Sequence, residues 1–96
     1  MAGAIRTNAR IRAIVYGHVQ GVGYRAFARS VAEGLALGGF VRNLPDGSVE
    51  VVAEGEKATL DRFIKELEEG PLFGRVRGVD VEWSDYRGDL VGFTIR

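Results

Sequence analysis

Between Arg10 and Tyr16 the apolar residues Ile11, Ala13 and Val15 alternate with more polar neighbours, and Ile14 breaks the alternation in the manner of an interior strand. The period then changes. From Tyr24 the apolar positions are Tyr24, Phe27, Ala28, Val31, Ala32 and Leu35, a spacing of three and four that predicts one buried helical face, with Gly38-Gly39 as the expected stop. "FVRN", "LPDG" and "SVEVVAEG" predict two strands joined by a tight turn, because Pro45 fixes φ while Asp46 and Gly47 suit turn positions. A second helix follows, with Leu60, Phe63, Ile64 and Leu67 on one face, pairs such as Asp61 with Lys65 on the other, and Gly70-Pro71 as its end. Val79, Val81 and Trp83 alternate with Asp80, Glu82 and Ser84 in a fourth strand, and "GFTIR" offers a short fifth.

The order β-α-β-β-α-β predicts an α+β, ferredoxin-like split βαβ sandwich: an antiparallel sheet with two helices on one face. Residues 1–9 read as a flexible leader and residues 10–96 as a single domain. Tyr24, Trp83 and Phe93 are expected to pack. In a right-handed crossover strands one and two run parallel, so their C-terminal ends share one edge of the sheet. The loop after strand one, Arg25 in the first helical turn, Asn43 at the end of strand two and the Pro45–Gly47 turn are thereby expected to converge.

That loop is "GHVQGVGYR", with glycines at 17, 21 and 23. A glycine-rich turn feeding a helix lets consecutive N–H groups point inward, and the first helical turn adds unpaired donors with partial positive charge. The N–H groups of His18, Val19, Gln20, Gly21 and Val22 make a candidate anion cradle, and Arg25 adds a planar, permanently charged fork matched to two phosphate oxygens. Each piece alone has an ordinary reading. A lone helical Arg is usually solvated, an Asn before Pro-Asp-Gly usually serves the turn, and His18, without an identifiable Asp or Ser partner, reads as an exposed loop residue.

Charge and composition narrow the guest. Thirteen Lys and Arg balance 13 Asp and Glu, so no long-range field draws nucleic acid or an anionic membrane, and an anion must be held locally. The absence of cysteine removes thiolate chemistry, one histidine among scattered carboxylates offers no metal-ligand spacing, and no cofactor motif stands. A leader without a signal-like apolar stretch and no run of roughly 20 apolar residues point to the cytoplasm. "GVGYRA" fits dinucleotide-fingerprint spacing, but strand two ends in Arg42-Asn43 where an acidic ribose ligand is expected, and a hairpin follows. No Lys-Ser or Lys-Thr follows the glycines, which fails the Walker pattern, and Ile11, Ala13, Val49, Val51 and Ala53 lack the aromatics of an RNA-binding sheet.

"GHVQGVGYR" resembles the acylphosphatase signature Gly-x-Val-Gln-Gly-Val-x-(Phe or Tyr)-Arg at every specified position, and "GFVRNLPDGSVEVVAEG" is similar to the second family motif, with Gly39, Phe40, Asn43, Gly47, Val49 and Gly55 in place. The resemblance spans essentially residues 10 to 95. It implies a small hydrolase of acyl phosphates, without metal or cofactor, in which the Arg that falls on Arg25 holds phosphate and the Asn that falls on Asn43 orients water. Inorganic phosphate, which resembles both the product and the transferred group, is expected to compete for the cradle, as is sulfate; the chain is expected to act as a monomer, with no nucleic-acid or membrane partner. Many members carry Thr directly after the Asn, whereas this chain has Leu44, so support for the Asn43 amide is expected from elsewhere.

So few groups suffice because the leaving carboxylate needs no proton, and phosphoryl transfer demands positioning and charge stabilisation more than covalent chemistry. The alternative is a non-catalytic module that binds phosphate or an acyl phosphate, as the related N-terminal domain of hydrogenase-maturation carbamoyltransferases does within a larger protein.

Overall fold

The computed structural model describes residues 7–96 of the 96-residue chain. Seven elements follow one another: β1 (Asn8–His18), α1 (Tyr24–Gly34), β2 (Gly38–Asn43), β3 (Val49–Glu56), α2 (Lys57–Glu69), β4 (Arg75–Asp85) and β5 (Phe93–Ile95). The strands form one sheet in the order β4-β1-β3-β2-β5. Four of them pair antiparallel as the sequence predicts, while β5 joins the outer edge of β2 in parallel, so the complete sheet is mixed. β1 begins at Asn8, opposite Glu56, two residues before the expected strand, and Thr7 O accepts from Lys57 N–H at 2.8 Å; residues 1–6 of the expected leader lie outside the described residues.

One face of the sheet carries the core. Ile11, Ala13 and Val15 of β1 sit opposite Ala53, Val51 and Val49 of β3, and this inward set packs on Tyr24, Ala28 and Ala32 of α1 and Leu60, Phe63 and Leu67 of α2. Phe93 is buried as expected, edge-on to Phe63 at 6.1 Å between ring centroids. Trp83 is not: it stands at the margin of the same face, 39% exposed, beneath the Lys57 ammonium. Lys57 covers the ring in place of core side chains. The opposite face is charged. Glu50 is buried there because Arg12 and Arg42 lie over its carboxylate, with N···O distances of 2.6 and 2.5 Å.

Helix α1 stops earlier than its glycines suggest. Ala36, at φ 56°, takes the left-handed position, with Leu37 N–H donating to Ala32 O (2.9 Å) and Ala36 N–H to Glu33 O (3.1 Å), the paired bonds of a Schellman stop. Gly38 and Gly39 open β2 instead, where a Cβ would overlap the carbonyls of Leu90 and Val52. On α2, Asp61 and Lys65 are exposed, but no ion pair forms between them; the i,i+4 pair among the described residues is Arg29–Glu33 on α1, at 4.0 Å.

Candidate active site

β1 and β2 are both antiparallel to β3 and hence run the same way, so the loop leaving β1 and the turn leaving β2 emerge at one end of the sheet. There a pocket of about 210 Å³ is lined by Val19, Gly21, Gly23, Tyr24, Arg25, Ala26, Asn43 and Ile95. Arg25 and Asn43, 18 residues apart in sequence, thus meet as the crossover argument requires.

The helix end facing this pocket is bare. Its N-cap is Gly23 at φ 80°, no side chain caps it, and the first turn holds no acidic residue. The left-handed conformation at Gly21 (φ 75°) and Gly23 suits glycine and turns the chain sharply into α1. None of the turn and loop main-chain hydrogen bonds among the described residues is donated by Gln20, Gly21 or Val22. Donors at a helix N-terminus with nothing internal to satisfy them favour an anion.

Arg25, the second helical residue, is half-buried, and none of the ion pairs among the described residues involves it. Its Nη1 lies 3.4 Å from the main-chain oxygen of Arg96. Arg96 is itself placed by its N–H bond to Val41 O (2.8 Å) and by its guanidinium 3.8 Å from the centre of the Phe40 ring. Tyr24 forms an apolar wall: its ring is buried, its hydroxyl donates to Leu67 O at 2.7 Å, and burial raises its pKa well above the ordinary 10.0, so it stays protonated. Asn43 is exposed at the strand end, and none of the side-chain hydrogen bonds among the described residues involves its amide.

The expected cradle residues divide. Val19 and Gly21 line the pocket, as does Gly23, which the cradle drawn from the sequence left out although it is the third glycine of the same run. His18 belongs to β1, opposite Arg75, and is exposed. Val22 packs against the core, and the Gln20 side chain turns away to the β2–β3 turn. Ile95 and Ala26 carry no chemical signal in the sequence and enter only because β5 and α1 bring them here. A larger hollow of about 450 Å³, between the end of α1, β3 and residues 86–93, holds none of the predicted residues, and its lining includes Glu33 and Glu54 but no cation. The smaller pocket holds both Arg25 and Asn43. Among the described residues no group of three or more His, Cys, Asp or Glu side chains is placed to hold a metal ion.

An uncapped helix start, a glycine loop and, beside an asparagine, an arginine that pairs with no Asp or Glu side chain among the described residues make a candidate phosphoryl site on a ferredoxin-like sheet. The acylphosphatase family model matches residues 11–95, and the chain belongs to that family. It is 52% identical over 86 residues to an acylphosphatase of Thermus thermophilus, covering 90% of this chain and 97% of that one. An acylphosphatase from Bacillus subtilis superposes with a TM-score of 0.89 at 36% identity, over 92% of this chain and 98% of that chain. The fold also recurs in full-length HypF (TM-score 0.83, 24% identity, 12% of that chain), a likeness of fold alone.

Proposed function

We propose that Arg25 and the loop N–H groups hold the phosphoryl group of an acyl phosphate while Asn43 orients the attacking water, with no metal ion taking part. The reaction is hydrolysis of the carboxyl–phosphate anhydride to a carboxylate and inorganic phosphate. The observation that carries this reading is the meeting, in one small pocket at an uncapped helix start, of an arginine that pairs with no Asp or Glu side chain among the described residues and an asparagine from the end of β2.

The guanidinium offers two parallel donors to two phosphate oxygens, and the loop and first-turn N–H groups take the others. As the bond to the departing carboxylate stretches, charge spreads over the equatorial oxygens, where these fixed donors point. Each well-placed donor is worth on the order of 10² to 10³ in rate, so several account for catalysis without a general acid. Water held by the Asn43 amide attacks in line, and because an amide is no base its proton passes to a phosphate oxygen of the substrate. Tyr24, protonated and committed to Leu67 O, shapes the pocket and takes no part in proton transfer.

Benzoyl phosphate is the direct test. The purified protein should hydrolyse it at an undiminished rate after exhaustive EDTA treatment, and Asn43→Ala should lower kcat at least ~10²-fold with phosphate affinity kept. Loss of turnover with EDTA and its return with a divalent ion would overturn the metal-free step. Phosphate binding without turnover would leave only a binding module. No helix among the described residues is long and apolar enough to cross a membrane. A cytoplasmic monomer belongs to the same proposal, checked by cell fractionation and sedimentation.

A further inference from the structure

We infer that the carboxamide of Gln20 is a positioning residue for Asn43. The main chain of Gln20 belongs to the phosphate loop, but both hydrogens of its side-chain NH2 cross to the β2–β3 turn, to Leu44 O at 2.8 Å and Ser48 O at 2.9 Å. Two carbonyl acceptors fix which end of the amide faces them. Leu44 directly follows Asn43, and Ser48 closes the turn.

Neither carbonyl needs Gln20 for its own satisfaction. Ser48 O already accepts from Leu44 N–H (2.9 Å), and Leu44 O from Gly47 N–H (3.2 Å). The turn is further braced by Asp46, whose carboxylate accepts from Ser48 N–H at 2.9 Å and from the Ser48 hydroxyl. What the Gln20 bridge adds is a fixed distance between the loop that holds the phosphoryl group and the turn that carries Asn43. That distance matters because the Asn43 amide has no side-chain partner of its own among the described residues, and Leu44 offers no hydroxyl to steady it. Misplacing an attacking group by about 1 Å costs ~10²-fold in rate. The inference rests on Asn43 being the residue that orients water.

The test separates kcat from binding. Gln20→Ala, which leaves the turn's own hydrogen bonds and the loop N–H groups in place, should lower kcat roughly 10- to 100-fold, while KM and the phosphate inhibition constant stay within about threefold. Gln20→Glu is nearly isosteric but, ionised, brings no N–H to either carbonyl; its kcat relative to wild type should rise as pH falls and the carboxyl gains a proton to donate. Asp46 faces the same turn, its carboxyl held below the ordinary range by the hydrogen bonds from Ser48. Asn43→Ala is measured alongside. If it is crippled while Gln20→Ala keeps wild-type kcat, the positioning role is overturned alone. Asn43→Ala with wild-type kcat overturns the reading of Asn43 and with it this inference. A Gln20→Ala loss confined to KM and phosphate affinity would mean that the side chain serves the cradle and not Asn43.

Discussion

Two loops of this protein bring main-chain N–H groups, a positive-φ glycine and an arginine together; one is filled by the protein's own carboxylate and the other lines the candidate site. In residues 86–92, between β4 and β5, Arg87 N–H and Gly88 N–H donate to the two oxygens of the Glu54 carboxylate at 2.7 and 3.1 Å, and Arg10 Nη1 adds a third contact at 3.2 Å. The Glu54 side chain is only 2% exposed. The loop before α1 has the same ingredients, in Gly21, Gly23, Arg25 and unclaimed N–H groups, but among the described residues no Asp or Glu side chain enters it, and Arg25 meets only the main-chain oxygen of Arg96. A backbone cradle for an anion is therefore common equipment. What sets the loop before α1 apart is that no acidic side chain fills it and its donors face a pocket.

The sharpest way to break this comparison is to exchange the fates of the two arginines. Arg25→Ala should lower kcat/KM for benzoyl phosphate by ~10³-fold or more with little change in stability, since a charged two-point donor to the transferred group is lost. Arg10→Ala should leave kcat/KM within about twofold and lower the urea midpoint. Comparable activity losses in the two variants would erase the distinction between a vacant and a filled cradle.

Next in size is the internal anion. Glu54→Ala strips the 86–92 loop of its acceptor and leaves Arg10 with Asp89 alone, which should cost about 3 kcal/mol in urea unfolding, at the low end for breaking a buried pair. The benzoyl phosphate kcat at low temperature should be kept.

An external anion should act through the other loop only. Inorganic phosphate at ten times its Kd stabilises by about 1.4 kcal/mol, roughly 5 to 10 °C in Tm for a domain of this size. At constant ionic strength, with chloride as control, the shift should shrink in Arg25→Lys, nearly vanish in Arg25→Ala and persist in Arg10→Ala. An equal shift in wild type and Arg25→Ala would place the anion elsewhere.

The smallest effect separates the two by pH. Burial raises the pKa of Glu50, on the same open face as Glu54, but hydrogen bonds and charge from Arg42 and Arg12 outweigh it and hold the carboxyl below its ordinary 4.5. A carboxyl depressed in the folded state contributes stability that is present above its unfolded pKa and lost as pH falls through the folded value. Tm should therefore decline below about pH 4.5 from this group, and Glu50→Gln should flatten that part of the profile. An unchanged slope in the variant would assign the acid loss to other carboxylates.

The parts of this comparison that sequence reveals are those carried by local pattern. Helical spacing around Tyr24, alternation around Ile11 and the Pro-Asp-Gly turn each declare an element, and element order alone brings Arg25 to Asn43. What stays hidden depends on contacts far apart in the chain. Nothing near Glu54 announces that residues 87 and 88 fold onto it, and nothing in "HVQGV" shows that the Gln20 side chain serves a turn 24 residues away. The α1 boundary was obscured because an alanine, Ala36, took the left-handed stop usually given to glycine, while Gly38-Gly39 served close approach in β2. Alternation in β4 placed Trp83 on the inward face, but could not show that α2 would leave its ring half open beneath Lys57. The parallel pairing of β5 was beyond reach of a three-residue pattern.

That short last strand has a consequence for motion. β5 pairs only with β2, over Gly39–Val41, at the outermost edge of the sheet, yet it supplies Ile95 to the pocket wall and leads directly to Arg96, whose oxygen meets Arg25. Three edge residues are expected to separate at a lower free energy than the β1–β3 centre, so that this wall of the pocket opens without global unfolding. Native-state hydrogen exchange should find the amides of β5 among the least protected in the sheet, with bound phosphate slowing them through Arg25. The pocket is thereby lined both by residues leaving the central strand and by a residue of a three-residue edge strand.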